Sequence, residues 1–382
     1  MKIRITGFSL VAFFLAACES TNIAPVGSPE AQLEQDERRI WSRAIEEEDI
    51  LDHSGFVAHI PGVEAYLSGV LSDLHPGVLP ENARWQVKIL VDPTLNAFAL
   101  PNGVIYVHTG MLARMENEAQ LATLLGHELT HATHRHGLKG LRNLKNKTAF
   151  MAAFNAGTVG VGGLLGAVGA ATAVSGYARE LEHEADLTGF DLVIAAGYDP
   201  RETTKVFHVL LSESRRSKIK EPYFFGNHPR LEERIAGFEQ LVQAMPAGRR
   251  TGKTGVEAYL AHLPEVLLLN AEVSLRAGDM DFARDCAERS LKLRPDHAPA
   301  ELLLAEIQQK KGATEEALLL YRGLTTVHPE FPPGHRGLGV ILLKQGDLTG
   351  AATAFKRYLT LRPDANDRGY VENHLKQCEP KF

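Results

Sequence analysis

Twelve residues, Gly126 to Gly137, read GHELTHATHRHG and hold four histidines and one glutamate. His127 and His131 stand four apart with Glu128 beside the first, the H-E-x-x-H pattern. On a helix, positions i and i+4 share a face, so two imidazoles spaced this way can reach one zinc ion through bonds of about 2.0–2.1 Å. Glu128 is turned roughly 100° off that line, near enough to act on a water at the ion. The chemistry implied is metal-assisted hydrolysis with Glu128 as general base. The other two histidines fit it less well. His134 lies about 10 Å farther along the axis, too far to share the ion, and is expected to be structural or solvent-exposed. His136 stands about 180° round the same helix and is expected to pack against neighbouring core.

These side chains need two supporting elements. The preceding NEAQLATLL places Leu121, Leu124 and Leu125 at helical intervals, which predicts one helix from near Asn117 through the motif. A single long motif with a histidine ten residues after His127 is excluded, because that position is Gly137. The third ligand must come from elsewhere. In ARELEHEADLTGFDLVIAAG, Leu181, Ala185, Phe190, Val193 and Ile194 predict a second helix, ended by Gly197. Glu182 and Asp186 share one face of it, and Glu184 points nearly the opposite way. By spacing alone this is either a solvated acidic face or a ligand-bearing one.

The combination resembles metallopeptidase family forty-eight, the group of HtpX, CAAX-prenyl-protease and mitochondrial OMA proteins. That resemblance pairs H-E-x-x-H with the glutamate of an E-x-x-A-D motif on a later helix, which EHEAD matches. It implies Glu182 as the third zinc ligand and Asp186 as a supporting acid that orients a ligand histidine or donates a proton. NAFALPNGVIYVHTGML, Asn96 to Leu112, is similar to the family's NAFALPGG segment, with Asn102 in place of the usual glycine. HPRLEERI matches a further motif and implies His228 and Arg234 at the active site. Either could stabilise an oxyanion, or His228 could bind zinc and keep the enzyme idle. The implied fold is mainly α (α+β): a gluzincin-like zinc peptidase domain with a small β-sheet, binding one zinc ion.

Between the two ligand helices, 148–178 is 31 residues without a charge, seven of them glycine. One membrane crossing takes about 20 residues and would separate His131 from Glu182; two take about 40, more than are present. A packed or movable hairpin near the cleft is expected, touching lipid or covering the site. The C-terminal part repeats with a period of 34: Gly278, Gly312 and Gly346; Ala283, Ala317 and Ala351; Ala287, Tyr321 and Phe355; Pro295, Pro329 and Pro363. This register resembles tetratricopeptide repeats, an α-solenoid that forms concave surfaces for protein partners. The organisation expected is a signal peptide at 1–17, a flexible lipidated tether at 18–35 and the peptidase domain at 36–244. A linker at 245–262, three repeats at 263–365 and a capping helix at 366–382 complete it.

The chain opens MKIRITGFSLVAFFLAAC, a basic start and an apolar run too short to be a comfortable span. LAAC resembles a bacterial lipobox, which makes Cys18 the expected lipidation site and anchors the chain to a membrane. Glu19 stands where aspartate would signal inner-membrane retention, so a periplasmic, outer-membrane anchor is expected. With 41 basic and 47 acidic residues, the 382-residue chain gives no support for nucleic-acid binding. Cys286 and Cys378 fall at opposite ends of the repeats and are expected to be free thiols. The resemblance implies a zinc metalloendopeptidase acting on unfolded or stalled envelope proteins, with the repeats engaging an outer-membrane assembly machinery. Two rivals are a chaperone or scaffold whose protease is mostly self-inhibited, and a small-substrate zinc hydrolase, which fits the repeats poorly.

Overall fold

The computed structural model describes residues 22–26, 28, 34–74, 84–145, 179–216 and 231–379. The expected signal peptide, Cys18, the stretch 148–178 and His228 lie outside the described residues. The chain is mainly helical around one small sheet, followed by a stack of helical repeats.

The first part runs α1 (Gln35–His53), β1 (Val57–Ala58), α2 (Pro61–Leu74), β2 (Gln86–Leu90), β3 (Ala97–Ala99) and β4 (Val104–His108). The strand order is β1-β2-β4-β3, with β2 and β4 parallel and the outer pairs antiparallel. Successive side chains of a strand point to opposite faces, and β4 is buried on both. Ile105 and Val107 pack with Leu67 and Leu71 of α2 and with Leu121 and Leu125. Val104 and Tyr106 face Ala44 and Leu51 of α1. Asn102, in place of the resembling family's glycine, has a task here: its amide donates to Glu48 of α1 at 2.8 Å.

Helices α3 (Thr109–Arg114), α4 (Glu118–Thr133) and α5 (His136–Lys145) follow, then α6 (Arg179–Ala195), α7 (Arg201–Arg216) and α8 (Leu231–Ala244). Helix α4 starts where Asn117 caps it, the side-chain oxygen accepting from Gln120 N at 3.0 Å. It is buried almost all round, so its polar side chains need internal partners. Thr123 and Thr130 find them by donating to the carbonyls of Ala119 and Gly126. Helices α4 and α6 touch backbone to backbone at Gly126 and Gly189. A Cβ on Gly189 would lie 2.9 Å from His127 N and 3.0 Å from the Gly126 carbonyl carbon.

Both ends of α4 are held by segments that flank the domain. The stretch expected to be a flexible tether is docked where it is described: Val26 N donates to Thr133 O at 2.7 Å, and Arg135 donates to Ala24 O at 3.1 Å. At the other end the linker lies against the domain. Ala119 N donates to Thr254 O, and Lys253 pairs its backbone with Gly197 and Asp199. The buried Glu118 carboxylate accepts from the Tyr66 and Tyr198 hydroxyls at 2.9 and 2.8 Å.

After α9 (Val256–His262) come α10 (Pro264–Ala277), α11 (Met280–Leu293), α12 (Ala298–Lys310), α13 (Thr314–Val327), α14 (Pro332–Gln345), α15 (Leu348–Leu361) and α16 (Arg368–Gln377). Gly278, Gly312 and Gly346 take φ of 88°, 80° and 82° at the turn between paired helices, a left-handed conformation that glycine adopts without a Cβ penalty. Ala283, Ala317 and Ala351 are fully buried, as are Ala287, Tyr321 and Phe355. Those rings fill the gap left where Gly337 and Gly339 have no side chain.

The hydrophobic core divides inside the repeats. One cluster runs from the sheet and α4 into Leu267, Ala271, Phe282 and Cys286 of the first repeat, reaching Leu303 and Ile307. A second holds the later repeats and Val371 of α16. The junction is also polar: Tyr259 donates to Leu112 O at 2.6 Å, Arg289 to Ala113 O at 2.5 Å, and Arg114 covers the Phe282 ring at 3.7 Å. Cys286 and Cys378 form no disulfide, and burial pushes the Cys286 thiol up to about 11. No helix of the described residues is long and apolar enough to cross a membrane.

Candidate metal centre

His127 and His131 project from one face of α4, and Glu182 reaches them from α6 across the glycine crossing. The two Nε2 atoms are 3.0 Å apart. Glu182 places Oε1 3.4 Å from His131 Nε2 and Oε2 3.7 Å from His127 Nε2. Bonds of 2.0–2.1 Å in a tetrahedron put neighbouring donors about 3.3–3.4 Å apart, so this triangle fits a zinc-sized ion with little adjustment. Two imidazoles and a carboxylate are also a donor set that suits zinc. Among the described residues this is the one group of three His, Cys, Asp or Glu side chains gathered closely enough to hold a metal.

The far sides of both imidazoles are occupied. His127 Nδ1 lies 3.1 Å from Asp186 Oδ1. Arg234, on α8, clamps that carboxylate through two nitrogens at 2.9 and 2.7 Å. Its third nitrogen is 3.4 Å from Glu182 Oε2, and its guanidinium lies 4.6 Å from the Phe207 ring. Burial alone would raise the Asp186 carboxyl, but Arg234 and His127 more than offset it and hold it far below the usual carboxylate range. Arg234 stays charged for the converse reason: burial opposes its charge, and Asp186 and Glu182 more than restore it. These contacts describe a residue that holds the ligand shell. Its Nη2 also lies 3.2 Å from His127 Nδ1, which places Arg234 beside the centre, where the oxyanion role is expected.

His136 is buried as expected, but not on the face expected. A straight helix would send it to the opposite face, but α4 ends at Thr133 and the chain turns through Arg135, whose φ is 57°. That left-handed turn is unfavourable for a side-chain-bearing residue, and it is held by an ion pair from Arg135 to Glu37 at 2.9 Å. The turn folds His136 back so that its Nδ1 lies 2.9 Å from His131 Nδ1. Glu184 then lies 3.2 Å from His136 Nε2 and accepts from Lys139 at 3.2 Å. Burial, with Lys139 nearby, pushes the His136 imidazole down to about 4, so it is neutral at neutral pH. His134 caps the helix, partly buried. No local pattern announces this turn, because its left-handed residue is an arginine rather than a glycine.

Glu128 is buried beside the ligands on α4. Strand β3 lies at the end of the sheet and packs against the same helix.

Residues 61–242 match the family described as Peptidase family M48, and residues 268–334 and 310–366 match the tetratricopeptide repeat. The chain is 31% identical over 185 residues to the mitochondrial metalloendopeptidase OMA1 of Arabidopsis thaliana, covering 47% of this chain and 37% of that protein. It is 28% identical over 165 residues to the putative beta-barrel assembly-enhancing protease of Vibrio cholerae, covering 41% of this chain and 34% of that protein. It therefore spans little more than a third of the length of these two relatives. Among solved structures, the Arabidopsis OM64 TPR domain aligns at 14% identity with a TM-score of 0.29, over 31% of this chain and 98% of that one.

Proposed function

Starting from a chain that carries a Peptidase family M48 domain with tetratricopeptide repeats behind it, we propose a zinc metalloendopeptidase acting on extended segments of other proteins. One observation carries the proposal: two helices in backbone contact bring His127, His131 and Glu182 within 4.8 Å of one another, with Glu128 on the same helix. Zinc held there supplies a Lewis acid that polarises the scissile carbonyl and makes water a better nucleophile. Glu128 takes a proton from the attacking water and passes it to the leaving amine nitrogen. Asp186 orients His127 through Nδ1, and Arg234 keeps Asp186 and Glu182 in place. An extended peptide can add beside β3, since a strand at the end of a sheet offers backbone groups on one side. That favours a polypeptide substrate over a small molecule. The full-length Glu128→Gln protein is expected to keep its zinc and lose roughly 10²–10⁴-fold of its cleavage of an unfolded test protein. Unchanged cleavage would remove the endopeptidase reading.

The proposed setting is the periplasm, with Cys18 lipidated and the chain attached to the outer membrane. LAAC and the Glu19 that follows it support this reading. Mass spectrometry of the mature protein is expected to find an acylated N-terminal cysteine, and a lipid-free mature chain would overturn the anchor. The repeats support protein partners, and unfolded or stalled envelope proteins are the class proposed, together with an outer-membrane assembly machinery. The similarity to a putative beta-barrel assembly-enhancing protease points the same way. A scaffold role remains the second reading, favoured by later repeats that have a core of their own, away from the metal centre.

A further inference from the structure

We infer that His136 is a positioning residue for the metal ligand His131: with Glu184 and Lys139 it dictates which nitrogen of His131 carries the proton and leaves Nε2 free for the ion. The inference rests on the reading that the His127–His131–Glu182 triangle holds zinc. A neutral imidazole carries one N–H and one lone pair, so each hydrogen bond at one nitrogen decides what the other can do. The chain of contacts begins at Lys139, whose ammonium donates to Glu184 Oε2 at 3.2 Å. A carboxylate in that pairing only accepts, so the His136 Nε2 facing it at 3.2 Å must carry the proton. His136 Nδ1 is then a lone pair, and it faces His131 Nδ1 at 2.9 Å. His131 must therefore hold its proton on Nδ1. Its Nε2 is left as a lone pair, aimed at the same point as His127 Nε2 and Glu182. The opposite tautomer would put an N–H where the ion belongs.

The two ligand histidines are thus oriented by different means. Asp186 faces His127 directly, whereas His131 is reached through a second imidazole and only then a carboxylate. All four participants of the relay lie on α4, α5 and α6, and His136 is fully buried, so the geometry is held by packing as well as by hydrogen bonds.

The test compares His136→Leu, which fills the space without accepting a hydrogen bond, with His136→Gln, whose amide oxygen can accept from His131 Nδ1. Zinc affinity is measured on the full chain by competition with a chromogenic chelator, and the cobalt-substituted protein is examined by its visible absorption. His136→Leu is expected to weaken zinc binding roughly 10–100-fold and to alter the cobalt bands, the range found when outer partners of ligands are removed. His136→Gln is expected to recover most of that loss and the parent spectrum. Glu184→Ala, at a partly exposed position, removes the acceptor for His136 Nε2, should move affinity in the same direction as His136→Leu and covers the case in which the leucine variant fails to fold. Glu182→Ala marks the scale of a lost ligand. Equal zinc affinity in wild type and in every folded relay variant overturns the inference, and so does a glutamine variant as weak as the leucine one. A wild-type chain that binds no zinc would overturn the metallopeptidase reading itself, a distinguishable result.

Discussion

Replacing Gly189 by alanine sets two effects of known size against each other. In a helix interior, alanine is favoured over glycine by about 0.8–1 kcal/mol. At this position, however, the new methyl would meet His127 N at 2.9 Å and the Gly126 carbonyl carbon and oxygen at 3.0 and 3.1 Å. All three are backbone atoms of α4, so no rotamer change relieves the clash. Ordinary contact begins near 3.4 Å, and the helices must separate by about 0.5 Å. Overpacking of this kind costs typically ~1–3 kcal/mol, which outweighs the propensity gain. The metal centre is more sensitive still, because ligand distances tolerate only about ±0.2 Å and Glu182 sits on the helix that moves. Gly189→Ala is therefore expected to lower stability by about 0–2 kcal/mol, the difference of those terms, and to weaken zinc binding by at least about tenfold. Gly237→Ala is the control: it is an exposed mid-helix glycine whose added methyl would meet nothing within 4 Å, and it should stabilise by about 0.5–1 kcal/mol. Urea unfolding and chelator competition give both quantities. If Gly189→Ala binds zinc as tightly as the parent, the close crossing does not set the ligand geometry and the argument fails.

The depressed Asp186 carboxyl gives a pH signature. A carboxyl lowered in the folded state contributes stability that is fully present above its ordinary value of 3.8 and is lost as pH falls from there through the depressed folded value. The stability gap between wild type and Asp186→Asn, from urea titrations at a series of pH values, should hold down to about pH 4 and close below it; a gap that closes between pH 7 and 5 would contradict the assignment. The shared core makes a prediction about truncation. A chain ending after Ala244 loses Tyr259, Leu267 and Phe282 from the main cluster and is expected to be unfolded by circular dichroism, whereas one ending after the first repeat, at His297, should keep its fold and its zinc. If both stay folded, neither the linker nor the first repeat is needed to close the peptidase core; if both unfold, the first repeat does not suffice to close it.

Much of the centre was legible as local pattern. His127, Glu128 and His131 lie within one helical turn or so, and a helix presents i and i+4 together whatever surrounds it. Glycine, alanine, aromatic and proline positions recurring every 34 residues marked the repeats for the same reason, since each unit packs mainly on its neighbour. The pairing with Glu182 was legible by resemblance, through EHEAD, but not by spacing. What only the tertiary structure decided lies between distant segments. Gly126 and Gly189 matter because their backbones meet, and neither glycine is distinguishable from any other in the sequence. Arg135 turns left-handed because Glu37, nearly a hundred positions earlier, holds its guanidinium, and that turn brings His136 to His131 against the straight-helix expectation. The tether's composition of small and polar residues suggested looseness, yet it docks at one end of α4, as the linker does at the other, through backbone hydrogen bonds, which any residue type can make and composition therefore does not reveal.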